Sequence, residues 1–349
     1  MSAIQIACAI LVPLLWGYQF VAIKVGVQEF PPLFFLALRF LAIAALLIPF
    51  VKRPTRQQFG PIATISVFFG GLNFGLFYVG LGLGSGSMSA IAYQLATPFT
   101  ILLAWPLLAE KPSLTTSAGV LLAFAGVVVL AAGPGLYGNA LPLLLVVGAA
   151  FAFAVSNVLT KRYGPFDPLM LMGWSSLLTV PQVLVMSLLL EHGQMASLAT
   201  ADERGWLALA YTIFIGGIVG FGLWFWLIAR CSINRVAPFG LLLPVFAVMS
   251  SVLFLGELMT PQLIAGGLLA ISGVAIAQVK PGARHVCDAP LEYAMNDMDA
   301  ATRAGMMMRL TETHHLSRRA MARGLPPAAI STRSTASGSG SSRPPNSAA

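Results

Sequence analysis

Residues 118–127 read AGVLLAFAGV, and residues 265–274 read AGGLLAISGV. Seven of the ten positions are identical at an offset of 147 residues, and Glu110 and Glu257 are paired at the same offset. This repetition indicates that the two halves of the chain are related copies of one unit. Further pairs lie at offsets of 137 or 145 residues: Lys24 with Lys161, Pro31 with Pro168, Gly71 with Gly216, and Gly75 with Gly220.

The composition of the chain is that of an integral membrane protein. Of its 349 residues, 57% are hydrophobic and 9% are charged, whereas roughly a quarter of the residues in soluble proteins are charged. The sequence contains ten apolar runs of roughly 18 to 24 residues, the length that a helix needs to cross about 30 Å of hydrocarbon. We expect spans at 3–23, 31–51, 61–83, 88–108, 114–132, 140–159, 168–190, 206–229, 237–255 and 261–279.

The distribution of Lys and Arg predicts the orientation of these spans. With a cytoplasmic N-terminus, the inner connections hold eight basic residues and the outer connections hold two, as the positive-inside rule requires. The net charge of +8 therefore belongs to the connections and the tail, and no nucleic-acid partner is expected. The inner residues are Lys52, Arg53, Arg56, Lys111, Lys161, Arg162, Arg230 and Arg235, and the outer residues are Lys24 and Arg204.

An odd number of spans in each copy means that the second copy crosses the membrane in the opposite direction. We therefore predict an all-α membrane protein with ten transmembrane helices, arranged as two inverted five-helix repeats at 1–132 and 140–280. Secondary transporters are built in this way, with the substrate site near the bilayer midplane between the copies. Both termini are then expected in the cytoplasm.

Residues 281–349 have a different composition, rich in Arg, Ser, Ala and Pro and without long apolar runs. This composition predicts a disordered cytoplasmic tail, with a short helix on the inner leaflet around 289–310 as an alternative for part of it. His314 and His315 are adjacent, but no second group of ligands accompanies them, so we predict neither a metal site nor a cofactor. The cysteines, which indicate no disulfide framework, are Cys8, Cys231 and Cys287.

Four stretches carry a resemblance to one family of membrane proteins. They are WGYQFVAIKVG (16–26), PPLFFLALRF (31–40), YTIFIGGIVGFGLWFWLIAR (211–230) and NRVAPFGLLLPVFAVMSSVLFLGELMTPQLIAGGLLAISG (234–273). In this order and spacing they resemble EamA-type members of the drug/metabolite transporter superfamily, over about residues 10–280. The second half is especially similar to exporters of cysteine-pathway metabolites such as O-acetylserine and cysteine.

Polar and aromatic side chains within the spans are the candidates for lining a substrate cavity. Asn and Gln are costly in lipid unless they meet partners or water, and aromatic faces accept an ammonium group. Interface belts and helix–helix contacts are the alternative interpretation for several of them. The candidates are Trp16, Tyr18, Asn73, Tyr78, Tyr93, Gln94, Asn157 and Trp224.

Proline and glycine mark further positions. Pro98 and Pro244 interrupt corresponding spans of the two copies, which favours cavity lining over a simple packing kink. The motifs GLNFG (71–75) and GGIVG (216–220) predict close helix packing. The stretch GLGLGSGS (80–87) lacks dinucleotide-binding spacing and predicts a tight outer turn. Glu110 and Glu257 are expected at helix ends, with structural or gating roles.

Two cations of the first copy need separate explanations. Lys24 is expected to end the first span and to reach the membrane interface. Arg39 lies about eight residues into the second span, roughly 12 Å deep at 1.5 Å per residue. The sequence favours a structural role in which Arg39 ties neighbouring helix ends together, and the alternative is that it pairs with an anionic group of the substrate.

These features favour a secondary transporter over an enzyme. No H-E-x-x-H, G-x-S-x-G or P-loop motif is present, and no Asp, Glu or His lies deep in a predicted span. We predict export of small polar or amphiphilic metabolites, such as amino acids and derivatives, by alternating access across the bacterial inner membrane. The alternatives are a membrane sensor or scaffold without transport, and a carrier of drugs or other metabolites. The expected partners are the metabolite and the lipid bilayer, with monomer and dimer both open.

Overall fold

The computed structural model describes residues 2–109, 111–132, 139–231 and 236–278, and every regular element in these ranges is helical. Glu110 and the predicted tail lie outside the described residues. The ten apolar helices are α1 (Ala3–Glu29), α2 (Pro32–Phe50), α3 (Arg56–Leu83), α4 (Gly86–Leu108), α5 (Leu114–Ala131), α6 (Leu141–Tyr163), α7 (Pro168–Leu190), α8 (203–230), α9 (237–255) and α10 (Pro261–Gln278). A short helix, Gln194–Thr200, lies between α7 and α8.

Each predicted span corresponds to one of these helices. In the described part of the chain, nine of them are long and apolar enough to cross a membrane, and the apolar part of α9, Phe239–Leu255, is shorter. Large apolar side chains point away from the protein along these helices, for example Leu121 and Leu268, which are 70% and 64% exposed. Such a surface is suited to lipid rather than water, and the protein is a multi-pass membrane protein.

The first helix is longer than its apolar run predicted. It continues past Lys24 to Glu29, and Phe30 then adopts an extended conformation with φ −120° and ψ 145°. Phe30 precedes Pro31, and a residue before proline is restricted to extended conformations because the proline ring clashes with helical geometry. The proline, and not the lysine, therefore ends α1.

The two halves carry the same helix irregularities at corresponding places. A π-helical segment interrupts α3 at Val67–Phe74 and α8 at Tyr211–Val219. A 3₁₀ segment interrupts α4 at Tyr93–Leu95 and α9 at Ala237–Leu241. Pro98 and Pro244, both buried, follow these 3₁₀ segments by three residues, and proline cannot donate the hydrogen bond that a continuous helix requires.

The packing of the helices also corresponds between the halves. The largest helix–helix interfaces include α5 with α10, α2 with α7, α3 with α6, α1 with α8, α4 with α6, and α1 with α9. Exchange of the halves maps α5–α10 and α2–α7 onto themselves, α3–α6 onto α1–α8, and α4–α6 onto α1–α9. This correspondence is consistent with the inverted repeat that the sequence predicts.

The repeated stretch that relates the halves forms the closest of these crossings. A Cβ atom on Gly126 would lie 2.6 Å from the carbonyl oxygen of Gly266, and one on Gly273 would lie 2.7 Å from that of Gly119. Any larger residue at these positions would force the two backbones apart. The glycines shared by AGVLLAFAGV and AGGLLAISGV therefore form the seam where α5 meets α10.

Candidate functional site

Three of the predicted cavity residues gather around Arg39. Asn73 and Tyr78 lie on α3, and Tyr93 lies on α4, beside Arg39 of α2. Together with Phe74 these residues are called the Arg39 cluster below. The cluster includes two irregular helix segments, because Asn73 and Phe74 belong to the π-helical part of α3 and Tyr93 begins the 3₁₀ part of α4. Such segments often occur at functional sites.

Arg39 is almost fully buried, with 2% of its surface exposed. Its Nη1 atom donates a hydrogen bond of 2.9 Å to the Tyr78 hydroxyl, and its guanidinium carbon lies 4.9 Å from the centre of the Phe74 ring. Its Nε atom is buried and has no hydrogen-bond partner among the described residues. The acceptor that Arg39 finds is thus a side-chain hydroxyl in the last part of α3.

Asn73 and Tyr93 are joined directly. The Tyr93 hydroxyl donates a hydrogen bond of 2.8 Å to Oδ1 of Asn73, and the amide nitrogen of Asn73 donates to the Phe69 carbonyl at 3.0 Å. Asn73 is completely buried. The Tyr93 ring packs against Phe77 and Phe153 with centroid distances of 5.0 and 5.9 Å. The pair therefore links the π-helical segment of α3 to the 3₁₀ segment of α4.

Two other predicted residues have no protein partner. Gln94 and Asn157 are partly exposed, and their side chains make no hydrogen bond among the described residues. Asn157 lines a cavity of about 190 Å³ between α4 and α6, and Phe153 forms part of its wall. Thr97 and Thr100 add hydroxyl groups to this lining. Unpartnered amides within a membrane protein indicate contact with water or a polar ligand.

The predicted residues Trp16, Tyr18 and Trp224 form contacts between helices. The indole nitrogen of Trp16 donates a hydrogen bond of 2.9 Å to the carbonyl of Gly216, within the π-helical segment of α8. The Trp16 and Trp224 rings are 5.7 Å apart, and the Tyr18 ring lies 5.1 Å from that of Tyr211. A Cβ atom on Gly216 would overlap the side chain of Gln19, so the glycine leaves room for that side chain. These aromatic residues join α1 to α8, and among the three polar groups it is the Trp16 indole N–H that has a hydrogen-bond partner in the described part of the chain.

Lys24 and Glu257 hold the turn between α3 and α4, which is the tight turn that the sequence predicts. Nζ of Lys24 donates to the carbonyl groups of Leu81, Gly82 and Gly84 at 3.0, 2.7 and 2.6 Å. The Glu257 carboxylate accepts from the backbone N–H groups of Gly86 and Ser87 at 2.5 and 2.9 Å. The cation thus meets the negative end of α3, and the carboxylate meets the positive end of α4.

A second carboxylate joins the halves at this same end, and sequence analysis missed it. Glu191, just after α7, accepts hydrogen bonds from the backbone N–H groups of Leu33 and Phe34 at 2.8 and 3.1 Å. The first turn of α2 has no cap of its own, since Pro31 precedes it. A helix start without a capping side chain indicates that its backbone N–H groups need an acceptor elsewhere. It does not show which residue supplies that acceptor, and Glu191 lies 158 residues away from Leu33. A cavity of about 340 Å³, lined in part by Glu191 and Gly82, opens beside this contact.

No metal centre is formed in the part of the chain that the structure describes. There, no group of three or more His, Cys, Asp or Glu side chains could hold a metal ion. What the described groups provide is a set of hydrogen-bond donors, amides and aromatic faces. These groups can bind a small polar molecule, and they include no arrangement for covalent chemistry.

Comparisons with known proteins identify the class of membrane protein. The EamA-like transporter family matches residues 3–132 and 140–278. A relative from Salmonella typhimurium, named "Probable amino-acid metabolite efflux pump", is 35% identical over 280 residues, which cover 77% of this chain and 92% of the relative. A relative with the same name from Escherichia coli is 34% identical over 279 residues, with the same coverage.

More distant similarities support the same fold. The "Uncharacterized transporter YvbV" of Bacillus subtilis is 29% identical over 287 residues, covering 78% of this chain and 90% of the relative. A solved crystal structure with 20% sequence identity has a TM-score of 0.55 and covers 80% of this chain and 97% of that one. These findings confirm the predicted family and group the protein with transporters rather than enzymes. The chain belongs to the EamA-like transporter family.

Proposed function

We propose that this protein is a secondary transporter that exports small polar or amphiphilic metabolites across the bacterial inner membrane. The substrates are amino acids and their derivatives, of the kind represented by cysteine and O-acetylserine. The observation that carries the proposal is the cavity between α4 and α6, where the amide of Asn157 has no hydrogen-bond partner among the described residues. The names of the two relatives above support the substrate class.

Alternating access is part of the proposal. At the end that carries the α3–α4 turn, two carboxylates of the second half bind backbone groups of the first half: Glu257 binds the start of α4, and Glu191 binds the start of α2. A pathway that opens at this end must break these contacts. Because each is a charge-assisted hydrogen bond to a helix terminus, they favour the closed state until substrate binding changes the balance.

An export screen tests the proposed function. Cells that overproduce the protein are expected to accumulate one or more amino acids or derivatives in the culture medium. The double variant Gln94→Ala, Asn157→Ala should lower this export, because it removes both unpartnered amides. The matched control is Leu268→Ala, which shortens a side chain that is 64% exposed on the outer surface. If no metabolite accumulates and purified protein in liposomes carries no flux, the protein is a sensor or scaffold instead.

Reporter fusions test the proposed orientation. With both termini in the cytoplasm, reporters placed after residues 56 and 280 should be cytoplasmic, and a reporter near residue 197 should lie on the outer side. Residue 197 lies within the short helix Gln194–Thr200, in the connection between α7 and α8. A cytoplasmic reporter at residue 197 would contradict the inverted arrangement of the two halves.

A further inference from the structure

We propose that Arg39 binds the carboxylate group of the transported metabolite. This inference rests on the proposed function and narrows it, because it restricts the substrates to molecules with a free carboxylate. It would place the anionic group of an amino acid in the Arg39 cluster. The polar remainder of the molecule would extend toward the cavity between α4 and α6.

The first argument is the unmet bonding capacity of the guanidinium group. Arginine carries five N–H donors and cannot lose its charge inside a protein. Arg39 is 2% exposed, yet its single hydrogen bond among the described residues goes to the neutral Tyr78 hydroxyl. No Asp or Glu of the described residues forms an ion pair with it. A buried charge without a counter-ion is unfavourable, so an anionic ligand would stabilise this site.

The second argument is the geometry of the unused donors. Nη1 donates to Tyr78, Nε is buried without a partner, and Nη2 makes no hydrogen bond among the described residues. Nε and Nη2 form one edge of the guanidinium plane. A carboxylate binds such an edge through two parallel hydrogen bonds, which is the strongest arrangement that arginine offers an anion.

The third argument is the position of the cluster beside the cavity. Ring contacts run from Tyr78 to Phe77 with centroids 6.4 Å apart, from Phe77 to Tyr93 at 5.0 Å, and from Tyr93 to Phe153 at 5.9 Å. Phe153 lines the cavity with Asn157. A chain of aromatic rings in contact therefore links the cavity to the residue that binds Arg39.

Aromatic faces also suit the other end of an amino acid. The Arg39 guanidinium already lies over the Phe74 ring at 4.9 Å. The rings of Tyr93 and Phe153 are both partly exposed, and aromatic rings of this kind attract an ammonium group. The cluster thus offers a cation for the carboxylate and ring faces for the amine, the two groups that all amino acids share.

Paired probes test the inference on the intact protein. L-cysteine and L-cysteine methyl ester differ in the charge of the carboxyl group, and each is added to purified wild-type protein while the melting temperature is recorded. L-cysteine should raise the melting temperature and the methyl ester should not. The Arg39→Gln variant should bind L-cysteine about 10- to 100-fold more weakly, as expected for loss of a hydrogen-bonded charge. Arg39→Lys should recover part of this affinity, and Leu268→Ala should match the wild type.

Four outcomes would overturn the inference. The first is an equal rise in melting temperature with the ester and with L-cysteine, and the second is an L-cysteine affinity that is unchanged in Arg39→Gln or Arg39→Lys. The third is a rise in melting temperature with chloride to which L-cysteine adds nothing. The fourth is that no carboxylate raises the melting temperature. If Arg39→Gln does not fold, the comparison rests on Arg39→Lys. The export screen separates the two claims: an exported metabolite without a carboxylate refutes this inference alone, and the absence of any exported metabolite refutes the proposed function as well.

Discussion

Lys24 and Arg39 are two cations of the same half of the protein, and their surroundings differ. Lys24 donates to three carbonyl groups at the end of α3, so each of its three protons has an acceptor. Arg39 is more deeply buried and donates to one hydroxyl group. The number of partners indicates that Lys24 completes the fold, and that Arg39 retains capacity for a ligand.

The largest effect is expected for Lys24→Met. This substitution removes the donor of three hydrogen bonds and leaves the carbonyl groups at the end of α3 without a partner. The free energy of unfolding should fall by about 2–3 kcal/mol, since each unsatisfied buried acceptor costs about 1–3 kcal/mol and these are partly exposed. The measurement is the apparent melting temperature in detergent, with Lys111→Met as the matched control at an exposed lysine. An equal melting temperature for both variants would remove Lys24 from the structural role.

This contact shows where sequence analysis succeeds and where it stops. Ten apolar helices follow from run length, and the α5–α10 seam follows from the repeat that contains Gly119 and Gly273. The acceptors of Lys24 do not follow, because they lie 57 to 60 residues away and the apolar run ended before the helix did. Glu191 was missed for the same reason: its partners belong to the other half. Local patterns predict helices, whereas the bonds between helices depend on the packing of distant segments.

A smaller effect is expected for Glu257→Gln, the companion of Lys24 at the α3–α4 turn. Glutamine keeps one acceptor oxygen and loses the charge that favours the start of α4, so the free energy of unfolding should fall by about 1–2 kcal/mol. The turn should also open more often. In a chain without its native cysteines, Ser87→Cys is buried in the closed state and should react faster with a membrane-impermeant thiol reagent when Glu257→Gln is present. An unchanged labelling rate would mean that Glu257 does not hold this end closed.

A still smaller effect on stability is expected for Arg39→Met. The substitution loses one hydrogen bond and also removes a buried charge that lacks a counter-ion, and these contributions oppose each other. The free energy of unfolding should therefore change by no more than about 1 kcal/mol, well below the change for Lys24→Met, while flux of carboxylate substrates is lost. The structural role that the sequence favoured for Arg39 would instead lose stability and flux together. A fall in melting temperature as large as that of Lys24→Met would restore that structural interpretation and end the contrast between the two cations.

The smallest expected quantity is the coupling between Arg39 and Tyr78. A double-mutant cycle with Arg39→Met and Tyr78→Phe measures it, because the two single variants and the double variant isolate the one hydrogen bond between the side chains. A neutral hydroxyl acceptor should contribute about 0.5–1.5 kcal/mol to the free energy of unfolding. The cycle is measured without ligand, because Arg39→Met removes the proposed carboxylate site. A coupling that approaches 3 kcal/mol would identify Arg39 and Tyr78 as a structural pair of the kind that Lys24 forms with α3.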